Sequence, residues 1–166
     1  TVLNKDVHKS QRFSPVTDFG FTSNVNSVPL LAIEFFESSR DLPVLFSQDQ
    51  EGSYFPIALL SLMNQGHEQV DDAGVWQGNY TPAFIRRYPF VFSESPENKQ
   101  FILCIDEDFS GCNEEGRGER LFDSEGKQTN YLEGVVKFLK DYQLSHQATT
   151  HFCKQLIELD LLEEVR

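Results

Sequence analysis

Several residue types and patterns are scarce in this chain, and each scarcity removes a class of function. Three of its 166 residues are Cys. Cys104, Cys112 and Cys153 form an odd set without Cys-x-x-Cys spacing, so neither a disulfide framework nor a zinc knuckle is implied. Cys104 lies in the apolar run Phe101–Ile105 and Cys153 in a helical pattern, which predicts buried free thiols at both. No stretch approaches the ~20 apolar residues of a membrane span, and no basic region followed by an apolar run opens the chain. A reducing, cytoplasmic setting follows as the expectation. Cations are short as well: 14 Lys and Arg face 26 Asp and Glu, a formal charge of −12. Such a surface has no counterions to release from a phosphate backbone, which excludes general nucleic-acid binding. It equally disfavours an anionic membrane.

Catalytic patterns are also missing. There is no Gly-x-Ser-x-Gly elbow, and Gly116-Arg-Gly118 lacks the Lys-Ser/Thr of a phosphate loop. Cys112 has an exposed-looking, Gly-rich setting, but Asp108, Glu114 and Glu115 surround it and would raise its pKa. His8, His67, His146 and His151 include no His-x-Asp/Glu pair, and His146 and His151 sit five apart, off a common helical face. His67-Glu68 with Asp71 and Asp72 is the one cluster to check for metal. The run 106–111 places oxygens at positions 1, 3 and 5 and Gly at 6 of a calcium loop. Position 12 is Arg117 instead of the bidentate Glu, so an acidic turn is expected. Neither metal nor cofactor is predicted, and the balance leans away from an enzyme.

Phenylalanine, by contrast, is abundant: 15 Phe against 5 Tyr and a single Trp and Met. Phe carries apolar area without a polar atom to satisfy, which favours a dense interior. The length suits a single domain over 1–166. The alternation Val16-x-Asp18-Phe19-Gly20-Phe21 predicts one short strand. Ser27 before Pro29 reads as the cap of a short helix running to about Asp41. Val44-Leu45-Phe46 and Tyr54–Met63, joined by Asp49–Ser53, predict a hairpin. Thr81-Pro82 opens a short helix over 82–87, which Pro89 ends. Phe90-Val91-Phe92 and Gln100–Ile105 form a second hairpin around Ser95-Pro96-Glu97-Asn98. Residues 106–129 read as an irregular connection pinned to the core by Leu121-Phe122. Leu132, Val135, Val136 and Leu139 keep helical spacing, and a break near 143–145 separates them from a second helix carrying Phe152, Leu156, Leu159 and Leu162. The expected fold is therefore α+β: an antiparallel sheet built from two hairpins, short connecting helices and a C-terminal helical hairpin.

The densest chemistry lies in the segment Gly74–Phe90, which holds the only Trp and the only Arg-Arg pair. Trp76, Tyr80 and Tyr88 combine apolar bodies with polar handles, and Arg86 and Arg87 offer planar forks for a carboxylate or phosphate. The bland alternative, and the commoner outcome, is that the arginines neutralise Asp71, Asp72 or Glu94 while Trp76 anchors a loop. The candidate ligand-binding residues are Trp76, Tyr80, Arg86, Arg87 and Tyr88, with no catalytic residue assigned.

The same segment, with Trp76, Tyr80, Pro82, Arg86, Arg87, Tyr88, Pro89 and Phe90, resembles the hallmark of the SapC family of bacterial proteins. The likeness extends through Val28-Pro29-Leu30, Glu34-Phe35, Leu42–Phe46, Pro56–Leu60, Leu103–Asp106, Arg120–Gly126 and the helix ending at Leu161-Leu162. The family takes its name from a bacterial surface layer, and no catalytic mechanism comes with it. Its members are often encoded near iron- and 2-oxoglutarate-dependent oxygenases, flavin-dependent halogenases and outer-membrane receptors. The resemblance therefore implies an accessory role with a peptide or protein partner, such as an oxygenase or halogenase pathway component. It also implies a further segment past Leu161-Leu162, which would make 1–166 a trimmed domain, and it leaves homo-oligomers open. Two other readings stand beside it. One is an enzyme pairing Arg86 or Arg87 with Asp71 or Asp106 and a Tyr; the other is a surface-layer structural component.

Overall fold

The computed structural model describes residues 1–62, 66–95 and 100–164. Its strands are β1 (Arg12–Phe13), β2 (Ser27–Pro29), β3 (Val44–Gln48), β4 (Tyr54–Leu59), β5 (Phe90–Glu94), β6 (Phe101–Ile105), β7 (Cys112–Asn113) and β8 (Glu119–Arg120). The helices are α1 (Lys5–His8), α2 (Phe35–Ser38), α3 (Ala83–Arg86) and α4 (Asn130–Glu158), with short 3-10 turns at Gly20–Thr22 and Ala32–Glu34. All strand pairs are antiparallel, and the class is α+β. The chain packs as two compact units: Thr1–Thr17 with Arg87–Asp141, and Asp18–Arg86 with Tyr142–Arg166.

In the first unit β5 and β6 pair from Phe90↔Ile105 to Glu94↔Phe101. The turn residues Pro96, Glu97 and Asn98 lie outside the described residues; Ser95 N–H donates to Gln100 O at 2.8 Å to close the pair beside them. A second, small sheet has β1 between β7 and β8. Phe13, Phe90, Phe109 and Phe122 are buried together with Ile105, Leu121, Leu132 and Leu139. Burying each such side chain stabilises the unit by about 1.5–3 kcal/mol. Leu121 and Phe122 hold the 106–129 connection onto this core, as expected, but the connection is not irregular throughout, because β7 and β8 pair with β1. Gly118, at φ 86°, lets β8 approach β1 so closely that a Cβ would overlap the Phe13 carbonyl.

The second unit is built on the sheet β2-β4-β3. The β3–β4 hairpin runs in the register Val44↔Ala58 to Gln48↔Tyr54 around the expected 49–53 turn. The strand ends at Leu59, and Met63 lies outside the described residues. Its core is Val28, Leu30, Leu42, Ala58, Leu60 and Ile85. Phe35 links the sheet to α4, meeting Phe46 at 6.1 Å and Phe152 at 6.2 Å, both edge-on.

Several expectations need correction. The two hairpins do not share one sheet; each sheet belongs to its own unit. Ser27 does not cap a helix: Ser27–Pro29 is a strand paired with Leu59, Ala58 and Ile57. Pro29 is tolerated there because β2 is an edge strand and needs no donor on its open side. The helical turns begin only at Ala32. Nor do residues 16–21 form a strand, because the Asp18 carboxylate takes the Gly20 N–H at 2.8 Å and turns the chain into a 3-10 helix. Finally, there is no break at 143–145. Residues 130–158 form one continuous helix. It starts where Thr129 accepts from Glu133 N–H through its carbonyl at 2.9 Å. The polar run 143–147 contains no Gly or Pro, and Leu144 points to solvent at 64% exposure, so the lapse in the apolar stripe marks a wet face, not a turn. The helix ends with Asp160 at φ 53° and a bond from Leu161 N–H to Leu156 O at 3.0 Å, a Schellman closure. Leu159, expected on the buried stripe, lies beyond the last turn and is exposed.

A continuous helix through 144 makes a direct prediction. Leu144→Pro should cost ~3 kcal/mol or more, whereas Leu144→Ala should change stability by less than ~0.5 kcal/mol. Equal denaturation midpoints for the two variants would instead place a loop there.

Candidate functional site

Between Gly74 and Arg86 the chain is held at almost every polar residue, all within the second unit. Gly74, at φ 80°, lies so close to Asp18 that a Cβ would overlap its carboxylate. Asp71 closes the loop ahead of Trp76: its Oδ1 accepts from the N–H groups of Ala73 and Val75, both at 2.9 Å, and its Oδ2 from Gln77 Nε2 at 2.8 Å. Asp41 does the same further on, accepting from Asn79 N–H at 2.7 Å and Asn79 Nδ2 at 3.0 Å. These bonds to the Asn79 side chain and backbone lower the Asp41 pKa.

Trp76 sits on the rim of the core, edge-on to Phe19 at 6.0 Å and to His67 at 6.1 Å. Its indole N–H donates to Tyr80 O at 3.1 Å. Loop anchoring, the bland reading, therefore describes Trp76. Both His67 nitrogens are also occupied: Nε2 meets Thr22 O at 2.9 Å and Nδ1 accepts from Gln69 N–H at 3.2 Å. Among the described residues no group of three or more His, Cys, Asp and Glu side chains could hold a metal.

The centre of the arrangement is Glu34, a carboxylate only 3% exposed. Its Oε1 accepts from Tyr80 O–H at 2.6 Å and from Ala83 N–H at 2.7 Å, and its Oε2 from Leu31 N–H at 2.8 Å. Charge-assisted bonds of this kind are the strong ones, and a buried carboxylate requires them. Two of the donors are backbone N–H groups at helical starts, which have no partner within their own turns. Arg86 then builds outward. Its Nε donates to Thr81 O at 2.9 Å and its Nη2 to Tyr80 O–H at 3.1 Å, with the guanidinium carbon 5.5 Å from the Tyr80 ring centre. Arg86 itself is exposed. The result is a chain from buried carboxylate through phenol to surface guanidinium. Desolvation, followed by the bond to Glu34, pushes the Tyr80 pKa up to about 12, so the phenol is a donor and not an acid near neutrality.

Arg87 and Tyr88 belong to the other unit. Tyr88 lies edge-on to Phe109 at 5.4 Å, and its O–H donates to Asp106 Oδ2 at 2.8 Å. Desolvation, then the Asp106 bond, pushes its pKa up to about 12 as well. Asp106 Oδ1 also accepts from Asp108 N–H at 3.2 Å, the ordinary acidic turn expected in place of a calcium loop. Cys153 is buried and Cys104 and Cys112 half-buried; all three are free thiols. Burial, then Glu107 and Glu114, raises the Cys112 pKa.

The five residues singled out from sequence are thus divided: Trp76, Tyr80 and Arg86 share one hydrogen-bonded cluster, and Arg87 and Tyr88 lie in the first unit. The reading missed Glu34, which holds the cluster, and Asp41. A signal for Glu34 existed: it is the only charge in the apolar run 28–36, and a lone charge among apolar residues must find buried partners.

Glu34→Ala should cost about 3 kcal/mol or more, since it strands three donors, and Tyr80→Phe about 1–2 kcal/mol. The double variant should cost less than the sum, measured by chemical denaturation. Tyr80 also predicts an alkaline effect. Its pKa is higher in the folded chain than the usual value near 10, so its contribution is complete below pH ~10 and is lost as pH rises toward 12. Stability should fall across that window, and less steeply in Tyr80→Phe; identical slopes would remove Tyr80 as the cause.

Comparison with curated proteins and with solved structures yields no match. The sequence profile of the SapC family, by contrast, matches residues 3–166. The segment of Trp76, Tyr80 and Arg86 thus lies within a match that covers nearly the whole chain, which belongs to the SapC family.

Proposed function

We propose that this chain is a non-enzymatic binding or accessory protein of a bacterial cell, which recognises an acidic group on a peptide or protein partner through Arg86. The observation that carries the reading is the fixed, exposed guanidinium of Arg86, held by Thr81 O and Tyr80 O–H on a chain of formal charge −12. A preorganised guanidinium loses little rotamer freedom on meeting a carboxylate, and its planar fork suits a bidentate partner. Trp76 and Tyr80 act through position: the first anchors the loop, the second sets the plane of the guanidinium. A partner from an oxygenase or halogenase pathway, met in the cytoplasm, is consistent with this reading. No helix among the described residues is long and apolar enough to cross a membrane.

The enzyme reading has weaker support. The carboxylate that Tyr80 meets is Glu34, and both of its oxygens are already accepting bonds from the chain. Of the two acids expected from sequence, Asp71 accepts from Ala73, Val75 and Gln77, and Asp106 holds Tyr88 and its own turn.

Affinity capture from native cells tests the proposal. Arg86→Glu should reduce recovery of the wild-type partner more than tenfold, and Arg86→Lys should do so less, with little change in denaturation midpoint for either. Equal recovery by wild type and Arg86→Glu would assign Arg86 to the scaffold.

A further inference from the structure

The sheet of the second unit has an unguarded edge. In the order β2-β4-β3, β3 is paired on one side only. Leu59 N–H donates to Pro43 O at 2.9 Å, and Asp49 N–H to Ser53 O at 2.9 Å, which fixes the alternation of the ladder. Leu45 and Ser47 therefore turn their backbone groups toward β4, opposite Ile57 and Phe55. Val44, Phe46 and Gln48 turn theirs away, and among the described residues these N–H and C=O groups have no protein partner. Edge strands are ordinarily blunted by Lys, Pro or a bulge. The sequence Val-Leu-Phe-Ser-Gln of β3 has none of these. A groove of about 750 Å³ runs along this edge, with Tyr54 and Leu161–Glu164 also in its lining.

We infer that the β3 edge is a docking site for an extended cationic peptide segment, alternating Lys or Arg with apolar residues, which adds to the sheet as a further strand. Backbone bonds to Val44, Phe46 and Gln48 supply affinity that any extended chain could use. The five residues of β3 span ~17 Å, a length that a peptide of five or six residues matches. Charge selects the occupant. Among the described residues that line the groove, Glu163 is an acid and none is Lys or Arg, and the whole chain carries −12. Tyr54 also lines the groove, an aromatic residue of the kind a Lys or Arg side chain favours. Pairing of β3 with β3 of a second copy is disfavoured by the same charges, since it would bring two −12 chains and their Glu163 residues together. The site uses none of the residues of the Glu34, Tyr80 and Arg86 cluster, so it stands or falls independently of the function proposed above.

The test uses a fluorescent hexapeptide of alternating Lys and Val, read by anisotropy at low salt. Saturable binding is expected, weakened at least tenfold when alternate peptide N–H groups are N-methylated at unchanged charge. Gln48→Pro, which removes an outward N–H without touching a ladder bond, should weaken binding about tenfold, while Gln48→Ala, which loses only the side-chain bond to Gly52 O, should not. Glu163→Lys should weaken it severalfold and reverse the preference toward a Glu-Val peptide. No saturable binding, equal binding of the N-methylated peptide, or equal binding of the Glu-Val peptide to wild type would overturn the proposal. So would sedimentation that finds a dimer abolished by Gln48→Pro, because the occupant would then be a second copy. The N-methylated probe keeps the result decisive even where Gln48→Pro disturbs the 49–53 turn.

Discussion

The second unit depends on one buried charge. Taking a carboxylate out of water costs several kcal/mol unless strong donors replace its hydration. Glu34 finds three, and they come from separate parts of the chain: its own turn at Leu31, the loop residue Tyr80, and the start of α3 at Ala83. The two backbone donors would otherwise be orphans of helical first turns. One side chain thus closes the 32–34 turn and fixes α3. It also sets the Tyr80 ring on which Arg86 lies. Val28, Leu30 and Ile85 pack in the core of the same unit, but packing alone does not specify direction; the hydrogen bonds do.

A phenol–carboxylate pair occurs in each unit, and the two differ in depth. Glu34 is buried, Tyr80 half-buried, and the pair feeds a backbone network, whereas Tyr88 and Asp106 meet at the surface beside Phe109. In both, the hydroxyl proton is held by an acceptor whose charge opposes its loss, so these tyrosines are permanent donors at neutral pH. They orient neighbouring groups and do not exchange protons with them. Both tyrosines therefore act on geometry: Tyr80 holds the guanidinium of Arg86, and Tyr88 holds the turn at Asp106.

Much of the fold was legible in sequence where local physics decides it. The β3–β4 and β5–β6 hairpins follow from period-two runs bounded by turn residues, and α3 from Thr81-Pro82 and Pro89. The failures occur where distant residues decide. Ser27-Val28-Pro29 carries a helix-start pattern, yet β4 captures it as an edge strand. The two-residue strands β1, β7 and β8 are too short to show any period. The helix through 143–145 was hidden because its exposed face imitates a loop. Within the site, residue type pointed to Trp76, Tyr80 and Arg86. Glu34 could not be paired with Tyr80 and Ala83 from sequence, since they lie 46 and 49 residues away.

Trp76 has one more consequence. It is the only indole in the chain, half-buried on the core rim of the second unit with its N–H tied to Tyr80 O. Intrinsic fluorescence excited at the indole is therefore a local optical signal from this loop. It reports the polarity and order around Phe19, His67 and Tyr80, while the first unit, which has no indole, contributes nothing to it. The protein carries its own reporter one hydrogen bond away from the residue that Glu34 holds.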